Sequence, residues 1–417
     1  MSLSIRIFIV GLFLLLIDWY FYQAIITVME EVSASKRMIV AYIYWGCTLL
    51  TFIVFVTMFF IPLADWHRYL RVYLTGFIVM VIISKIIGTV FIATDDIIRL
   101  FLWIASYFTT PTSIAKETAH SISRLKFLNQ LALGMTAIPF AAFIYGMVKG
   151  AFDYRVHAVK VILPNLPASF NGLKILQVSD IHAGSYVSSS HLDEAIKIIE
   201  KHQPDLLFFT GDLVNNTASE TYPFIDVLGK MKAPMGVFSI LGNHDYGDYV
   251  VWDSHEAKTK NFNDMKEVHA KLGWKLLMNE HVSVKRGEDE IAIIGVENWG
   301  GSFHFPKFGD LKKAHAGTEK YPVKLLLSHD PSHWDLQVKG EFKDIDVTFS
   351  GHTHGGQFGI EIKRLKWSPS QYAYKQWAGL YNHHKQYLYV NRGLGFLGYP
   401  GRVGISPEIT VMELFNS

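Results

Sequence analysis

The stretch LKILQVSDIH, residues 173–182, combines an apolar strand with a short polar cluster at its end. Residues 173–178 predict a buried strand, and Asp180 and His182 follow it directly. Downstream, further strands are predicted at residues 206–210, 237–241, 291–296, 323–328 and 347–350. Segments whose apolar residues recur at helical spacing lie between these strands. The alternation of strands and helices predicts an α/β domain with a layered sheet core.

Polar residues recur after the predicted strands. The clusters are Asp180-Ile181-His182, Gly211-Asp212, Gly242-Asn243-His244-Asp245, His329-Asp330 and Gly351-His352-Thr353-His354. One such cluster alone could be a turn, since Gly, Asp and Asn favour turns. Five of them, each after a strand, predict a shared site, because the ends of strands in an open α/β sheet converge on one edge where ligands bind.

The residue types in these clusters indicate a transition-metal site. Two carboxylates, an amide oxygen and several neutral imidazoles suit Mn, Fe or Zn better than Ca, which prefers oxygen ligands alone. The chain has a single cysteine, Cys47, so a cysteine-based structural zinc site is excluded. The donors are too many for one ion and fit two divalent ions, with Mn the first expectation, that share a bridging carboxylate.

In their order along the chain, these motifs resemble the signature of the calcineurin-like metallophosphoesterase superfamily over about residues 172–417. Similarity to its membrane-associated bacterial branch extends to Asn165-Leu166-Pro167, Gly355-Gly356-Gln357 and the tail from Gly393 to Thr410. The resemblance implies a layered β-sandwich flanked by helices. It also implies a phosphodiesterase, or a hydrolase of the pyrophosphate bond in UDP-2,3-diacylglucosamine.

The resemblance also implies a role for each site residue. Metal ligands carried over from the family pattern are Asp180, His182, Asp212 and His354 for the first ion, and Asp212, Asn243, His329 and His352 for the second. Asp212 would bridge the two ions. His244 would bind no metal but would contact the phosphate and help to protonate the leaving oxygen, and Asp245 would orient His244.

The first third of the chain has a different composition. Residues 7–28, 38–62, 72–93 and about 129–148 are apolar runs, each long enough to span a bilayer as a helix. Residues 97–108 are too few to span and are predicted to lie at the interface. The predicted domains are therefore a four-helix transmembrane domain, 1–152, and the phosphoesterase domain, 153–417. The alternative for the first domain is a buried soluble helical bundle.

Two ionisable residues, Asp18 and Lys85, fall at similar depth within the first and third runs. An unpaired charge at the bilayer centre costs about 3 kcal/mol or more, so we predict that they form an ion pair. The alternative is that Lys85 extends along its stem toward the interface while Asp18 is neutral or hydrogen-bonded.

The net charge, the distribution of basic residues and a segment that resembles an export signal indicate binding partners and cellular location. The net charge of +2 argues against nucleic-acid binding, which requires a basic face. Basic residues are balanced between the two sides of the predicted spans, so orientation stays open. Residues 123–128, SRLKFL, resemble a degraded twin-arginine export signal. This resemblance favours a bacterial inner-membrane protein whose catalytic domain is extracytoplasmic.

Three functions follow from the sequence. The first is hydrolysis of a lipid-linked phosphoester, because the spans hold the site near a bilayer. The second is hydrolysis of nucleotides or small phosphodiesters. The third is transport or sensing by the membrane helices, with a regulatory hydrolase domain. Asn391-Arg392-Gly393 either places a guanidinium near a phosphate or forms a surface turn. Residues 367–399 either line a pocket for an acyl or base group or are ordinary packing.

Overall fold

The computed structural model describes residues 3–61, 66–108, 118–302, 305–362 and 365–417. The chain divides into two compact units, Met1–Ile144 and Tyr145–Ser417. The described part of the first unit is helical, and the second contains two six-stranded sheets with helices between the strands.

Four long helices make up the N-terminal region. They are α1 (Leu3–Val28), α2 (Ala34–Thr57), α3 (Thr75–Ser106) and α4 (Thr118–Val148). Each contains a stretch long and apolar enough to cross a membrane. Large apolar side chains point outward, with Phe8 68% and Ile43 63% exposed. Such surfaces suit lipid and not water, so the structure favours an integral membrane protein over the soluble-bundle alternative.

The third helix differs from its prediction. A spanning helix at 72–93 and a separate interfacial segment at 97–108 were expected, but α3 is one continuous helix from Thr75 to Ser106. No glycine or proline between residues 89 and 106 interrupts the helical pattern, and Asp95 and Arg99 pair across one turn at 3.0 Å. The prediction of a separate segment was therefore wrong.

In the segment resembling an export signal, the side chains of residues 123–125 lie outside the described part of the structure.

The predicted ion pair between Asp18 and Lys85 is confirmed. Lys85 Nζ bonds Asp18 Oδ1, and lies 3.3 Å from Thr48 Oγ1. The Tyr44 hydroxyl donates to the Asp18 backbone oxygen at 2.8 Å and also lies 3.1 Å from Oδ1. Three helices, α1, α2 and α3, thus contribute to one polar cluster among apolar neighbours, which satisfies the buried charges.

The second unit contains fourteen strands in its described residues. They are β1 (Arg155–Ile162), β2 (Leu173–Val178), β3 (Leu206–Phe209), β4 (Val237–Ser239), β5 (Lys275–Leu276), β6 (Glu280–Arg286), β7 (Asp289–Gly295), β8 (Lys324–Leu327), β9 (Val347–Ser350), β10 (Ile360–Ile362), β11 (Leu365–Trp367), β12 (Gly379–His383), β13 (Gln386–Val390) and β14 (Glu408–Phe415). The strands predicted from sequence are all present.

These strands form two mixed sheets and a separate ribbon. One sheet has the order β1-β14-β2-β3-β4-β5 and the other has the order β12-β13-β9-β8-β7-β6. Among the described residues, β10 pairs only with β11. Strands β2, β3, β4 and β5 are parallel to one another, as are β7, β8, β9 and β13. Parallel strands require crossover connections, which accounts for the helices between them.

A buried apolar core lies between the two sheets, with Phe208 of β3 and Phe349 of β9 in contact at 5.0 Å between ring centroids. Helices cover the outer faces, and they are α5 (Ser190–His202), α6 (Ile225–Leu228), α7 (His255–Leu272), α8 (Leu311–His315) and α9 (Lys339–Glu341). Two further apolar clusters fill the spaces under these helices. The predicted helix-flanked β-sandwich is confirmed, and the carboxyl ends of β2, β3, β4, β8 and β9 carry the polar motifs.

Candidate metal centre

The backbone that carries the polar motifs is unusual in its dihedral angles. Several motif residues other than glycine adopt left-handed φ angles: Asp180 51°, His182 49°, Asp212 58°, His352 71° and His354 51°. This region is disfavoured for residues with a Cβ, and it tends to be occupied where function demands a particular orientation. Each of these residues lies within four positions of the end of a strand, in the loops that carry the converging donors.

The first group of converging donors consists of Asp180, His182 and His354, all buried. His182 Nε2 lies 3.0 Å from His354 Nε2, and His354 Nε2 lies 3.4 Å from Asp180 Oδ1. Two imidazole nitrogens that face each other this closely, beside a carboxylate oxygen, form a donor set suited to a cation among them.

The second group consists of Asp212, His329 and His352. His329 Nε2 lies 3.1 Å from Asp212 Oδ2 and 3.2 Å from His352 Nδ1. The same Asp212 Oδ2 lies 3.6 Å from His182 Nε2 of the first group. One carboxylate oxygen therefore faces both groups, as a bridging ligand between two ions would.

Asn243, predicted as the amide ligand of the second ion, is buried and directly precedes His244, whose backbone amide donates to Asp212 Oδ1. Asn243 Nδ2 donates to the Tyr249 hydroxyl at 2.8 Å, while the buried Asn243 Oδ1 accepts no hydrogen bond within the described structure. A buried acceptor without a partner is costly, and a metal ion would satisfy it. The fold thus brings six of the seven predicted ligands into two groups, and Asn243 Oδ1, which has no partner among the described residues, is suited to complete a donor set for two divalent ions.

Backbone groups orient the ligands. The His352 amide donates to both oxygens of Asp180 at 3.0 Å, and the His244 amide donates to Asp212 Oδ1 at 2.9 Å, which leaves Oδ2 for the centre. Glycine is required where these carboxylates approach the chain. A Cβ at Gly351 would lie 2.3 Å from Asp180 Oδ2, and one at Gly242 would lie 2.2 Å from Asp212 Oδ1.

Electrostatics at the centre favour a cation. Burial would raise the pKa of Asp212, but the imidazoles of His329, His244 and His182 hold it well below its ordinary value. Burial would lower the pKa of His329, yet Asp212 and Asp180 raise it to about 10. Burial lowers the pKa of His182 to about 3 and that of His352 to about 4, so both rings are neutral, as metal ligands must be.

The side chain of His244 lies beside the first group, with its ring centroid 5.0 Å from that of His182. Its Nδ1 lies 2.7 Å from the carbonyl oxygen of Asn215, which fixes Nδ1–H as the donor and leaves Nε2 for chemistry. Tyr249 packs against the other side, 4.5 Å away between ring centroids.

The expectation that Asp245 orients His244 is wrong. The Asp245 carboxylate accepts from the backbone amides of Gly242, Asp212, Leu213 and Val214 at 2.8–3.3 Å. It ties the loop after β3 to the loop after β4, so it positions both metal-ligand loops through the main chain. The carbonyl of Asn215 orients the His244 ring instead.

Sequence reasoning missed three residues around the centre. Tyr374 Oη lies 2.7 Å from His352 Nε2, and Tyr249 contacts Asn243 and His244. The buried guanidinium of Arg402 donates to backbone carbonyls of His354, Gly393 and Gly395. Tyr374 lies in the aromatic segment singled out in the sequence and Arg402 lies in the tail that resembles the bacterial branch, but neither was given a role, and Tyr249 lies outside every motif. Tyr249 lies in a loop without a regular pattern, and Arg402 reaches His354 across 48 residues, so residue spacing alone did not indicate either role.

Arg392 fits neither of the two interpretations of the sequence, a guanidinium near a phosphate or a residue of a surface turn. It is 3% exposed and pairs with Glu408 and Glu361, so it neither faces a phosphate nor lies in a surface turn. Its role is structural, because two carboxylates satisfy its buried charge.

Comparison with known proteins covers both units. Residues 3–151 match the family model "Probable Calcineurin-like phosphoesterase, transmembrane domain", and residues 173–356 match "Calcineurin-like phosphoesterase". A "Transmembrane protein with metallophosphoesterase domain" of Danio rerio is 32% identical over 292 residues, which cover 68% of this chain and 62% of the relative. A relative of the same name in Bos taurus is matched over 59% of its length. This chain therefore spans about three fifths of these two relatives.

Two bacterial relatives are matched over most of their length. The "Uncharacterized metallophosphoesterase YkuE" of Bacillus subtilis is 30% identical over 267 residues, covering 62% of this chain and 84% of the relative. The "UDP-2,3-diacylglucosamine pyrophosphatase LpxG" of Chlamydia trachomatis is 30% identical over 307 residues, covering 62% of this chain and 88% of the relative. With its helices, sandwich and converging donors, this chain belongs to the calcineurin-like phosphoesterase family, in a form with an N-terminal transmembrane domain.

Proposed function

We propose that this protein is a membrane-anchored hydrolase that uses two divalent metal ions to cleave a phosphodiester or pyrophosphate bond in a lipid-linked substrate. The observation that carries the proposal is the position of Asp212 Oδ2, which faces His182 Nε2 of one donor group and His329 Nε2 of the other. Mn is the first expectation for both ions, because mixed imidazole and carboxylate sites accept Mn, Fe and Zn.

The chain's own residues would hold and orient the reacting groups. The first ion is assigned to Asp180, His182, Asp212 and His354, and the second to Asp212, Asn243, His329 and His352. When bound, the two ions would activate water and neutralise charge on the phosphoryl oxygens. Asp245 holds the two loops that present Asp212 and Asn243, through its bonds to their backbone amides.

His244 is assigned the proton transfer. With Nδ1–H held by the Asn215 carbonyl, its Nε2 is the nitrogen that can donate a proton to the leaving oxygen or a hydrogen bond to the phosphate. The ring is partly exposed, whereas six of the seven assigned metal ligands are buried, so it lies where a substrate can reach it.

Two observations support a lipid-linked substrate. Residues 1–152, the proposed transmembrane domain, contain helices that can span a bilayer, and they tie residues 153–417 to its surface. The similar LpxG protein is named for cleavage of UDP-2,3-diacylglucosamine. We further propose an inner-membrane location with the catalytic domain outside the cytoplasm, on the strength of the export-signal resemblance at residues 123–128.

The test is hydrolysis by the full-length protein in detergent with Mn. Substrates would be bis-p-nitrophenyl phosphate, UDP-2,3-diacylglucosamine and common phospholipids, with Asp212→Ala as the inactive control and Asp226→Ala, an exposed aspartate, as the matched control. Metal-dependent turnover that Asp212→Ala lacks and Asp226→Ala keeps supports the proposal. Preference for a soluble ester over every lipid ester would favour a small-phosphodiester hydrolase. Bound metal without turnover of any ester would point to the transport or sensing role.

A further inference from the structure

The antiparallel ribbon formed by β10 and β11 lies outside both large sheets. Its register places Ile360 opposite Trp367, Glu361 opposite Lys366 and Ile362 opposite Leu365. Because side chains alternate between the two faces of a strand, one face carries Glu361 and Lys366, and the other face carries four large apolar residues.

The polar face of the ribbon contacts the rest of the unit, although Glu361 is only half-buried and Lys366 stays partly exposed. Glu361 accepts from the buried Arg392, with Nη2 to Oε1 at 2.6 Å and Nε to Oε2 at 3.0 Å. Lys366 donates to the Ala378 carbonyl and lies 4.6 Å from the centroid of the Trp377 ring. Burial and the nearby Arg392 lower the pKa of Lys366 to about 8. These contacts fix which face of the ribbon is inward.

The apolar face therefore points away from the protein. Ile360 is 42% exposed, Ile362 64% and Leu365 57%, and the nearby Tyr372 is 79% exposed, whereas Trp367, the fourth residue of this face, is half-buried. A sheet with one face in water has the opposite pattern, with apolar residues inward and polar residues outward. A contiguous exposed apolar surface of this kind marks a contact with another molecule or with a membrane.

The ribbon is connected to the metal centre. Ile360 follows the ligand His354 by six residues, and Ser368, directly after β11, donates to the Gly355 carbonyl at 2.7 Å. Farther along the same segment, Tyr374 contacts the ligand His352 at 2.7 Å. A molecule or membrane that binds the ribbon would therefore lie next to the loops that present both donor groups.

The chemistry around the ribbon fits a bilayer. The exposed Lys375 follows the ribbon along the chain. Trp367 Nε1 lies 3.4 Å from the Tyr372 hydroxyl, an aromatic pair of the kind enriched at membrane interfaces. A basic residue near apolar and aromatic ones suits anionic headgroups above acyl chains. The four apolar helices on the same chain keep the domain within reach of such a surface.

We propose that the apolar face of the β10–β11 ribbon inserts into the headgroup–acyl boundary of an anionic bilayer and presents a lipid phosphoester to the adjacent metal centre. The inference deepens the proposed function, and its statement about substrate delivery rests on that function. The membrane contact itself depends only on the ribbon.

A depth measurement tests the contact. The full-length protein, with Cys47→Ser as background, carries a single cysteine at either position 362 (Ile362→Cys) or position 336 (Leu336→Cys). Each cysteine is labelled with an environment-sensitive fluorophore. The labelled protein is placed in nanodiscs of phosphatidylethanolamine and phosphatidylglycerol. Leu336 is 61% exposed and is the matched apolar control. Lipids with a nitroxide just below the headgroup should quench the probe at 362 at least twofold more than the probe at 336. Equal quenching overturns the proposal. If the probe at 362 becomes less accessible in detergent as the protein concentration rises, a second copy of the chain covers this face. That result would also overturn the proposal.

An activity ratio tests delivery. Ile362→Asn combined with Leu365→Asn should lower the ratio of lipid-ester to soluble-ester hydrolysis in nanodiscs at least tenfold, whereas Leu336→Asn should leave the ratio within twofold. An unchanged ratio overturns the delivery step. The quenching measurement is repeated with Asp212→Ala, because the ribbon of that variant should still insert into the bilayer. If the unmodified protein hydrolyses no ester while the probe at 362 is quenched, the proposed function and the delivery step fail and the membrane contact stands.

Discussion

At the scale of single residues, His244 is the group whose substitution separates chemistry from metal binding. Its ring makes no bond to either donor group, and its Nδ1 is held by the Asn215 carbonyl. We expect His244→Ala to lower turnover of a phosphodiester with a poor leaving group by about 10²–10⁴-fold, which is the usual contribution of general acid catalysis. Metal content measured by atomic emission should not change.

A leaving-group series supplies the control for that prediction. An ester that releases p-nitrophenolate needs little protonation, so His244→Ala should impair it much less. The matched variant His255→Ala removes an exposed histidine at the start of α7 and should behave as wild type. Equal losses for good and poor leaving groups would refute the assignment of proton transfer to His244.

Tyr374 is expected to act on metal affinity through His352. If His352 uses Nδ1 as a ligand, its Nε2–H donates to the Tyr374 hydroxyl at 2.7 Å. Removing such a partner costs about 10–100-fold in metal affinity. Tyr374→Phe should therefore raise the Kd for Mn by about that factor, as measured by calorimetry, and Tyr222→Phe at an exposed site should not. An unchanged Kd for Tyr374→Phe would contradict this positioning role.

His269 makes stability depend on pH. The ring is fully buried, Nδ1 lies 2.9 Å from Ser239 Oγ, and burial lowers its pKa to about 3 from an ordinary value of 6.5. The unfolded chain therefore takes up a proton below pH 6.5 while the folded chain does not. Stability from this group is fully present above pH 6.5 and is lost as the pH falls toward 3.

Between pH 6.5 and 5 this loss amounts to about 2 kcal/mol, at about 1.4 kcal/mol for each pH unit. His269→Phe keeps the packing against Phe209 and Trp274 but removes the titrating group. Thermal unfolding at a series of pH values should show a shallower decline for the variant over that window. Parallel curves for the variant and the wild type would rule out this contribution.

At the scale of elements, the Asp18–Lys85 pair joins α1 to α3. Breaking a buried pair by removing one partner costs about 3–5 kcal/mol, because it leaves one charge without compensation. Asp18→Asn and Lys85→Met should each destabilise the helical unit, and the double variant should be less damaged than the sum of the two. Unfolding in mixed micelles of increasing denaturing detergent measures this coupling.

A pair on the surface of the same unit provides the comparison. Lys126 and Glu31 lie 2.6 Å apart, but the Glu31 side chain is 83% exposed. An exposed pair contributes about 0–1 kcal/mol, so the same cycle at these positions should give little coupling. Additive effects of Asp18→Asn and Lys85→Met would show that the two charges do not stabilise each other.

At the scale of the whole molecule, metal removal should loosen the catalytic unit. Its donors converge in two groups, and left-handed residues present several of them. Two ions that bind only the folded state each add about 2.7 kcal/mol at a concentration of 100 Kd. We expect EDTA to lower the Tm by about 5–10 °C and to abolish hydrolysis, and Mn to restore both. Differential scanning fluorimetry of the full-length protein measures the shift.

The control for that prediction is Asp212→Ala, which removes the carboxylate that both donor groups share. Its Tm should respond little to EDTA or to Mn. A similar response in the variant and the wild type would mean that the metal effect arises elsewhere in the chain.

The sequence by itself determined much of this protein through local chemistry. Apolar runs of about twenty residues predicted the helices of the first unit, because only lipid or a deep core accepts them. Strand and turn patterns located β2, β3, β4, β7, β8 and β9, and the polar residues after five of them predicted a shared metal site, to which the family resemblance assigned individual ligands. These inferences depend on neighbours in sequence, so sequence alone could support them.

Tertiary structure decided what depends on contacts between distant residues. Only the fold could show that Asp245 binds four backbone amides while the Asn215 carbonyl orients His244. Only the fold brings Tyr374 to His352 and buries Arg392 between two carboxylates. The outward apolar face of the ribbon likewise follows from the inward contacts of Glu361 and Lys366. Sequence spacing defines which residues share a face, but packing against the rest of the chain decides which face meets solvent or lipid.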